Sequence, residues 1–316
     1  MRPADVLKYF PTDRFGAVID VTPLSPGLSG SGVYAVTTAD GDYVLRVHSH
    51  NEEGGWERQL AGQRLAAEAG VAPRLVLVDE AARATVSVKV KGSRFSATVM
   101  QPGSRAQALV SLVDQLTALH AAPTTGLVAL DPAQITCSLW DVAAARQGFP
   151  AWARPLGESL GTVAAALARD PRRVLSHNDV NPTNLLWDGS RVWFVDFEAS
   201  GLNHPYFDLA AADVFLRFSD EEAFQLLERQ VGAELTPAQR QVFESLRQLA
   251  RILFGLIFLR PIPDLGVLPQ EPLAATPTLR DCYRMIGEGT LDLQSPRGKG
   301  LVGLAILRRA VEGREG

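Results

Sequence analysis

The sequence predicts a bilobal α+β fold, with a small β-rich N-terminal lobe over residues 1–103 and a larger, mainly helical C-terminal lobe over residues 104–316. Strand-type runs dominate the first hundred residues, whereas helical patterns dominate the chain after residue 104. One hairpin pattern, over residues 184–197, interrupts the helical part. The length of 316 residues is sufficient for two domains of ordinary size.

Five apolar and β-branched runs predict the strands of the N-terminal lobe, at residues 33–38, 43–47, 75–78, 85–90 and 95–100. Asp40-Gly41 predicts a tight hairpin between the first two of them. Residues 55–70 have apolar side chains at near-helical spacing and predict a helix. The turn-forming residues 101–103 break the pattern, so we expect the connector between the two lobes there.

In the C-terminal lobe, residues 106–120, 156–168 and 221–231 show helical patterns. Thr236 followed by Pro237 is typical of a helix N-cap and first helical position, and predicts a long helix toward residue 259. The hairpin pattern has its turn at Asp188-Gly189, between strand-type residues 184–187 and 192–197.

Composition and charge exclude several classes of protein. The formal net charge of −4 gives no basic field that would attract nucleic acid or an anionic membrane surface. Cys137 and Cys282 are far apart, which argues against a disulfide framework and against a cysteine-based metal site. The longest apolar run, residues 252–259, is too short for a membrane helix, and residues 1–10 lack the apolar stretch of a signal peptide. We therefore expect a cytoplasmic protein without a nucleic-acid or membrane partner, and the oligomeric state stays open.

The motif HNDVNPTN, residues 177–184, carries the strongest chemical signal, and Asp196 follows Asn184 by 12 residues. Because the predicted hairpin joins the two segments, we expect Asp179, Asn184 and Asp196 to lie close together. An amide oxygen and a carboxylate are ligands that suit Mg²⁺, and a second carboxylate, free of metal, can accept a hydroxyl proton. The combination favours phosphoryl transfer; the alternative is a polar hairpin whose Asn and Asp side chains cap turns.

Residues 175–210, which contain this motif, resemble the aminoglycoside phosphotransferase and choline kinase family of small-molecule kinases. The resemblance implies the protein-kinase-like bilobal fold, with ATP as the phosphoryl donor. It implies that Asp179 is the catalytic base, that Asn184 and Asp196 hold magnesium, and that His177 is a structural residue of the catalytic loop.

The same resemblance extends into the N-terminal lobe, where it implies a nucleotide site. Ser29, Gly30 and Ser31 lie in a glycine-rich segment, whose backbone N–H groups can approach phosphate oxygens closely. Gln101 and Gly103 lie in the predicted connector, where this fold holds adenine through a backbone carbonyl and a backbone N–H. The alternatives are an ordinary turn and a plain interdomain connector.

Arg46 lies in the strand where protein kinases place the lysine that binds the α- and β-phosphates. Arginine can bind phosphate with two parallel hydrogen bonds and keeps its charge. We expect its carboxylate partner on the following helix at Glu57, with Glu52 and Glu53 as alternatives. The alternative roles are a surface charge at a strand end for Arg46 and an ordinary solvated helix position for Glu57.

Differences between this sequence and protein kinases reduce the range of possible substrate classes. Protein kinases carry lysine at the position of Asn181 and glycine at the position of Glu198. The segment 206–210 follows Asp196 so closely that no long activation loop fits, which disfavours a protein substrate. We therefore expect transfer of the γ-phosphoryl group of ATP to a hydroxyl of a small molecule of amino alcohol, aminoglycoside or sugar type. The alternative is a catalytically silent, nucleotide-binding regulatory relative.

Aromatic and acidic residues of the helical lobe are candidates for the acceptor site, because aromatic rings and carboxylates attract cations. They are Trp140, Asp141, Phe149, Trp152 and Asp220-Glu221-Glu222. The alternative is that the aromatic residues belong to the core and that the acidic run is the first turn of a helix. The modest net charge favours a singly cationic or neutral acceptor over a polycation.

Overall fold

A five-stranded antiparallel sheet organises the N-terminal part of the computed structural model, which describes residues 7–24, 32–48, 55–269 and 271–313. Its strands have the order β1-β2-β3-β5-β4. They are β1 (Val18–Pro23), β2 (Gly32–Thr38), β3 (Asp42–Val47), β4 (Leu75–Asp79) and β5 (Ala84–Val88). The predicted turn at residues 40–41 joins β2 to β3, where the Thr38 hydroxyl accepts hydrogen bonds from the backbone N–H groups of Asp40 and Gly41.

The chain divides into two compact units. The first consists of Met1–Val128 and Val174–Leu202, and the second consists of Ala129–Arg173 and Asn203–Gly316. The first unit therefore contains both the sheet and the segment with the HNDVNPTN motif. These units do not coincide with the predicted lobes at 1–103 and 104–316, and the lobe division stays a prediction about where nucleotide and acceptor bind.

Within the first unit, helix α1 (Thr12–Phe15) precedes the sheet and helix α2 (Gly55–Glu68) follows β3. Gly62 brings α2 close to the segment after Asp196, since a Cβ atom at Gly62 would lie 2.0 Å from Ser200 Oγ and 3.5 Å from Phe197 Cβ. Any larger residue at this position would push the helix and the segment apart.

The strand predicted at residues 95–100 is wrong: Phe95–Val99 forms a short helix, α3, and only Ser93–Arg94 forms a strand, β6. Phe95, Thr98 and Val99 are buried and Ala97 is exposed. This is the spacing of one helix face, because a strand would bury alternate residues. The next helix, α4 (Pro102–His120), begins with proline at its first position.

The remaining strands of the first unit are short. Hairpin β8 (Leu185–Trp187) and β9 (Val192–Phe194) forms a three-stranded sheet with β6, and β7 (Val174–Ser176) pairs with β10 (Gly201–Asn203). The hairpin confirms the prediction for residues 184–197. Its turn is held by Asp188, which accepts hydrogen bonds from the backbone N–H groups of Ser190 and Arg191.

The second unit is helical. Its helices are α5 (Pro132–Ala144), α6 (Arg154–Leu167), α7 (Phe207–Leu216), α8 (Asp220–Val231), α9 (Pro237–Leu259), α10 (Leu279–Gly287) and α11 (Pro296–Glu312). The predicted start of α9 is confirmed, with Thr236 and Gln239 forming a capping box. In the part of the chain that the structure describes, no helix is both long enough and apolar enough to cross a membrane. Short 3₁₀ turns occur at Leu7–Tyr9, Ala151–Ala153, Pro182–Asn184, Leu265–Val267 and Leu273–Ala275.

One buried carboxylate, Asp213 on α7, links three helices of the second unit. Its Oδ2 atom lies 2.9 Å from Arg247 Nε and 3.0 Å from Arg251 Nη2, both on α9. Its Oδ1 atom lies 3.0 Å from Arg309 Nη2, on α11. Asp213 has no exposed surface and each arginine is at most 5% exposed. Burial alone would raise the pKa of Asp213, but the three arginines hold it below its usual value.

Candidate active site

The hairpin β8–β9 brings the two halves of the sequence motif together. Leu185 pairs with Phe194, and the Val195 N–H donates to the carbonyl oxygen of Asn184 at 2.9 Å. Asn184 therefore lies beside Val195, which follows the end of β9 and directly precedes Asp196. Asp196 has a left-handed backbone conformation, with φ at 68°, which turns the chain sharply at this point.

His177 is buried and holds the loop between β7 and β8 in position. Its ring is fully buried against Phe197, with ring centroids 4.7 Å apart. Its Nδ1 atom accepts a hydrogen bond from the Asp179 N–H at 3.3 Å, so its Nε2 atom carries the proton toward the carbonyl oxygen of Val195 at 3.0 Å. These contacts tie Asp179 to the end of β9 and support the structural role inferred for His177.

Two amide groups hold the carboxylate of Asp179. Oδ2 accepts from Asn184 Nδ2 at 2.8 Å, and Oδ1 accepts from Asn181 Nδ2 at 2.9 Å. Burial raises the pKa of Asp179, and the nearby charge of Asp196 raises it further, although the two amide hydrogen bonds and the proximity of His177 oppose this shift. A carboxylate with a raised pKa and a fixed orientation has the properties of a general base.

Asn184 and Asp196 meet the requirements of a magnesium site. The amide nitrogen of Asn184 faces Asp179, so its amide oxygen is directed to the opposite side. The buried Oδ1 atom of Asp196 forms an ion pair with Arg46 Nη2 at 3.0 Å but accepts no hydrogen bond of regular geometry from the described part of the chain. An amide oxygen and a carboxylate oxygen are hard donors of the kind that Mg²⁺ uses when phosphate and water complete its coordination. The residues present therefore fit this metal.

Arg46 on β3 lies next to Asp196. Its Nη2 atom is 3.0 Å from Asp196 Oδ1, and the same nitrogen donates a hydrogen bond to Glu198 Oε1. Only 12% of the Arg46 side chain is exposed. The structure thus brings Arg46, Asp179, Asn184 and Asp196 together within the first unit, as the sequence predicts.

The expected pairing of Arg46 with helix α2 is not what the structure shows. The Glu57 carboxylate is 65% exposed and lies 4.0 Å from Arg83. The alternatives Glu52 and Glu53, like the predicted phosphate-loop residues Ser29, Gly30 and Ser31, lie outside the described residues. Helical spacing alone does not tell which face of α2 meets the sheet, and among the described residues the charged neighbour of Glu57 is Arg83.

Gln101 and Gly103 occupy a turn between two helices. Gln101 is the N-cap of α4 and Gly103 lies in its first turn. Residues 89–92 form the connection from the sheet to the segment that follows, directly after β5. A Cβ atom at Gly92 would lie 2.3 Å from the carbonyl oxygen of Trp187, so this position requires glycine. Residues 89–92 are thus a second candidate for the connector, and the adenine role of Gln101 and Gly103 stays a prediction.

Two groups of acceptor-site candidates, the Trp140–Phe149 pair and the acidic run 220–222, have structural explanations. The Trp140 and Phe149 rings pack edge to face at 5.3 Å, and Phe149 is buried. The acidic run begins α8, whose N-cap is Ser219, and Asp220 pairs with Arg247 at 3.0 Å. The alternative interpretations, a core position for Phe149 and an acidic first helical turn, are the ones that the structure supports.

A family model described as "Phosphotransferase enzyme family" matches residues 20–249, which is more than half of the chain. The chain therefore belongs to the phosphotransferase enzyme family. This assignment confirms the enzyme class inferred from the HNDVNPTN motif, a phosphotransferase.

Among curated proteins, Protein LicA of Haemophilus influenzae is 46% identical to this chain over 52 residues. The match covers 16% of this chain and spans only 20% of that relative. A match of this length does not show that this chain has the activity of the whole relative.

Solved structures resemble the chain over nearly its whole length. A choline/ethanolamine kinase family protein from Mesorhizobium loti has a TM-score of 0.67 at 22% identity, covering 97% of each chain. Choline kinase LicA from Streptococcus pneumoniae has a TM-score of 0.63 at 16% identity, covering 98% of each. A thermostable mutant of aminoglycoside phosphotransferase APH(4)-Ia has a TM-score of 0.59 at 16% identity, covering 96% of this chain and 98% of that one. At these identities the likeness shows the fold, and it confirms the predicted α+β fold class.

Proposed function

We propose that this protein transfers the γ-phosphoryl group of ATP to a hydroxyl group of a small molecule. The observation that carries the proposal is the juxtaposition of Asp179, Asn184 and Asp196 with Arg46. Asp179 accepts the proton of the acceptor hydroxyl. At the same time the hydroxyl oxygen forms a bond to the γ-phosphorus, and the bond between that phosphorus and ADP breaks. Arg46 binds the phosphates of the nucleotide through its guanidinium donors.

Asn184 and Asp196 are the residues that would hold magnesium. The ion supplies positive charge that offsets the charge of the phosphate oxygens during transfer. Nucleotide complexes among the structural neighbours support a nucleotide site, since one is LicA with AMP and another is an aminoglycoside phosphotransferase with ADP and hygromycin B. We place the adenine against residues 89–92, which directly follow β5, in preference to Gln101 and Gly103.

We further propose a singly cationic or neutral acceptor, such as an amino alcohol or a simple sugar. Choline and ethanolamine kinases stand among the neighbours with the higher TM-scores. The net charge of −4 is modest for a protein that binds a polycation. The free thiols of Cys137 and Cys282 are compatible with a reducing, cytoplasmic setting.

An acceptor panel tests the proposed function. The purified protein with ATP and Mg²⁺ is given choline, ethanolamine, a simple sugar or a kanamycin-type aminoglycoside, and ADP release is measured against a blank without acceptor. We expect release with an amino alcohol or a sugar, and a phosphate ester of that compound by mass spectrometry. Release with the aminoglycoside alone would contradict the acceptor class. Nucleotide binding without release for any hydroxyl compound would favour a catalytically silent relative.

Metal dependence gives a second test. A ligand that binds only the folded state raises its stability, by about 2.7 kcal/mol at a hundredfold excess over Kd. We expect ADP with Mg²⁺ to raise the melting temperature more than ADP with EDTA, and Asp196→Ala to abolish this difference. Asp188→Ala is the matched control, because Asp188 caps the hairpin turn nearby. It should lower the melting temperature yet keep the difference between Mg²⁺ and EDTA. A difference that persists in Asp196→Ala would place the metal elsewhere.

A further inference from the structure

Arg46 contacts two carboxylates that flank one residue. Its Nη2 atom lies 3.0 Å from Asp196 and donates a hydrogen bond to Glu198, whose side chain is 25% exposed. The Nε atom of Arg46 is buried and has no acceptor among the described residues. Since a guanidinium has five N–H donors in a rigid fork, contacts through one nitrogen leave other donors for an anion.

Helix α2 offers Arg46 no carboxylate in its described part. Both acidic residues of the helix, Glu57 and Glu68, are exposed. Gln59 is 1% exposed and lies one turn before Gly62, which touches Ser200. The face of α2 that packs against the segment after Asp196 therefore carries a neutral amide at its buried polar position.

His48, two residues after Arg46, contributes no charge at neutral pH. Burial and, to a smaller extent, the proximity of Arg46 together lower its pKa to about 4, although the nearby charge of Asp196 opposes this shift. Arg83 faces His48 as well, and it pairs with the exposed Glu57. Among the described residues, the carboxylates paired with Arg46 are those on either side of Phe197, Asp196 and Glu198.

We propose that Glu198 is the positioning residue of Arg46 and takes the place of a carboxylate from helix α2. Through its hydrogen bond it directs the guanidinium toward the phosphates of the nucleotide, while Asp196 is left to the metal. This inference rests on the proposed function, because it assigns Arg46 to nucleotide phosphate. It explains why this chain carries a glutamate at residue 198, where protein kinases have glycine.

A double-mutant cycle on ADP binding, measured by calorimetry, tests the assignment. Arg46→Met should weaken binding about tenfold or more in the wild-type background and by about threefold or less in the Glu198→Gln background, because residues that act as one unit are not additive. In the Glu57→Gln background, which removes the rival partner, Arg46→Met should have its full effect. Glu80→Gln, which removes an exposed carboxylate paired with Arg64, is the matched control and should also leave the full effect.

Two further measurements distinguish Glu198 as the positioning residue of Arg46 from Glu198 as a metal ligand. Repeating the cycle in EDTA should preserve the coupling, whereas a coupling that vanishes in EDTA would show that Glu198 acts as a metal ligand and would overturn the assignment. Glu198→Asp, which keeps the charge, should recover part of the coupling. Equal effects of Arg46→Met in the wild-type and Glu198→Gln backgrounds would overturn the inference while leaving the proposed function intact. A wild-type protein that binds no ADP would overturn both.

Discussion

Replacing Asp179 by asparagine lowers the rate of phosphoryl transfer by a factor of about 10² or more, the range expected for the loss of a general base. The amide of asparagine cannot take up the hydroxyl proton. Both oxygens of Asp179 accept amide hydrogen bonds, from Asn181 and Asn184. In the variant, one of these donors faces the new NH₂ group, so we also expect a small loss of stability, of about 1 kcal/mol.

Steady-state kinetics with Mg²⁺ and ATP, together with calorimetry of ADP binding, check this result. The rate constant kcat should fall, while the Kd for ADP stays within a few fold of its wild-type value. In the mechanism proposed above, activity of the wild-type enzyme requires the carboxylate form of Asp179. Because its pKa is raised from 3.8 in the folded protein, kcat/KM should decline with acid at a higher pH than for an ordinary aspartate. Turnover at the wild-type rate in Asp179→Asn would remove this residue from the mechanism.

Replacing Asp213 by alanine destabilises the protein by about 3–5 kcal/mol, the usual cost of removing one partner from a buried ion pair. Three arginines, Arg247, Arg251 and Arg309, would lose their common carboxylate and remain buried. The carboxylate also accepts a hydrogen bond from the backbone N–H of Phe218, just beyond the end of α7. The variant therefore loosens the contacts among α7, α9 and α11 at once.

Urea unfolding at neutral pH measures this effect, and Asp220→Asn provides the matched control. Asp220 pairs with Arg247 at 3.0 Å, but its side chain is 40% exposed. An exposed pair of this kind contributes about 0–1 kcal/mol. A loss of less than about 1 kcal/mol in Asp213→Ala would show that water reaches the three arginines, and that the cluster is not a stabilising centre of the second unit.

The hairpin β8–β9 was predictable because its determinants are local. The Asp188-Gly189 turn fixes which residues of the two strands face one another, and so it places Asn184 near Asp196. The start of α9 at Thr236-Pro237 is local in the same way. Such features need only a few neighbouring residues, each of which favours one backbone conformation.

Features that depend on packing between distant segments could not be predicted from the sequence. Residues 95–99 have both β-branched character and helical spacing, and burial of Phe95 and Val99 against the rest of the unit decides for helix. The contact of Arg46 with Glu198 joins residues 152 positions apart, and the close approach of α2 to the segment after Asp196 depends on the absence of a side chain at Gly62. The cluster around Asp213 joins residues up to 96 positions apart, and only the spacing of Arg247 and Arg251, one helical turn, was visible in the sequence.

The first unit is assembled from two stretches of chain that are separated by Ala129–Arg173. The later stretch supplies contacts that the earlier one requires: Phe194 donates a backbone hydrogen bond to Val71, and Val192 donates one to Ser111. A ribosome releases the chain from its N-terminus at about 5–20 residues per second. The sheet and helices α2 and α4 therefore emerge with these partners missing and must wait until the hairpin β8–β9 has been synthesised. Completion of the segment that carries Asp179, Asn184 and Asp196 and completion of this core are, during biosynthesis, the same event.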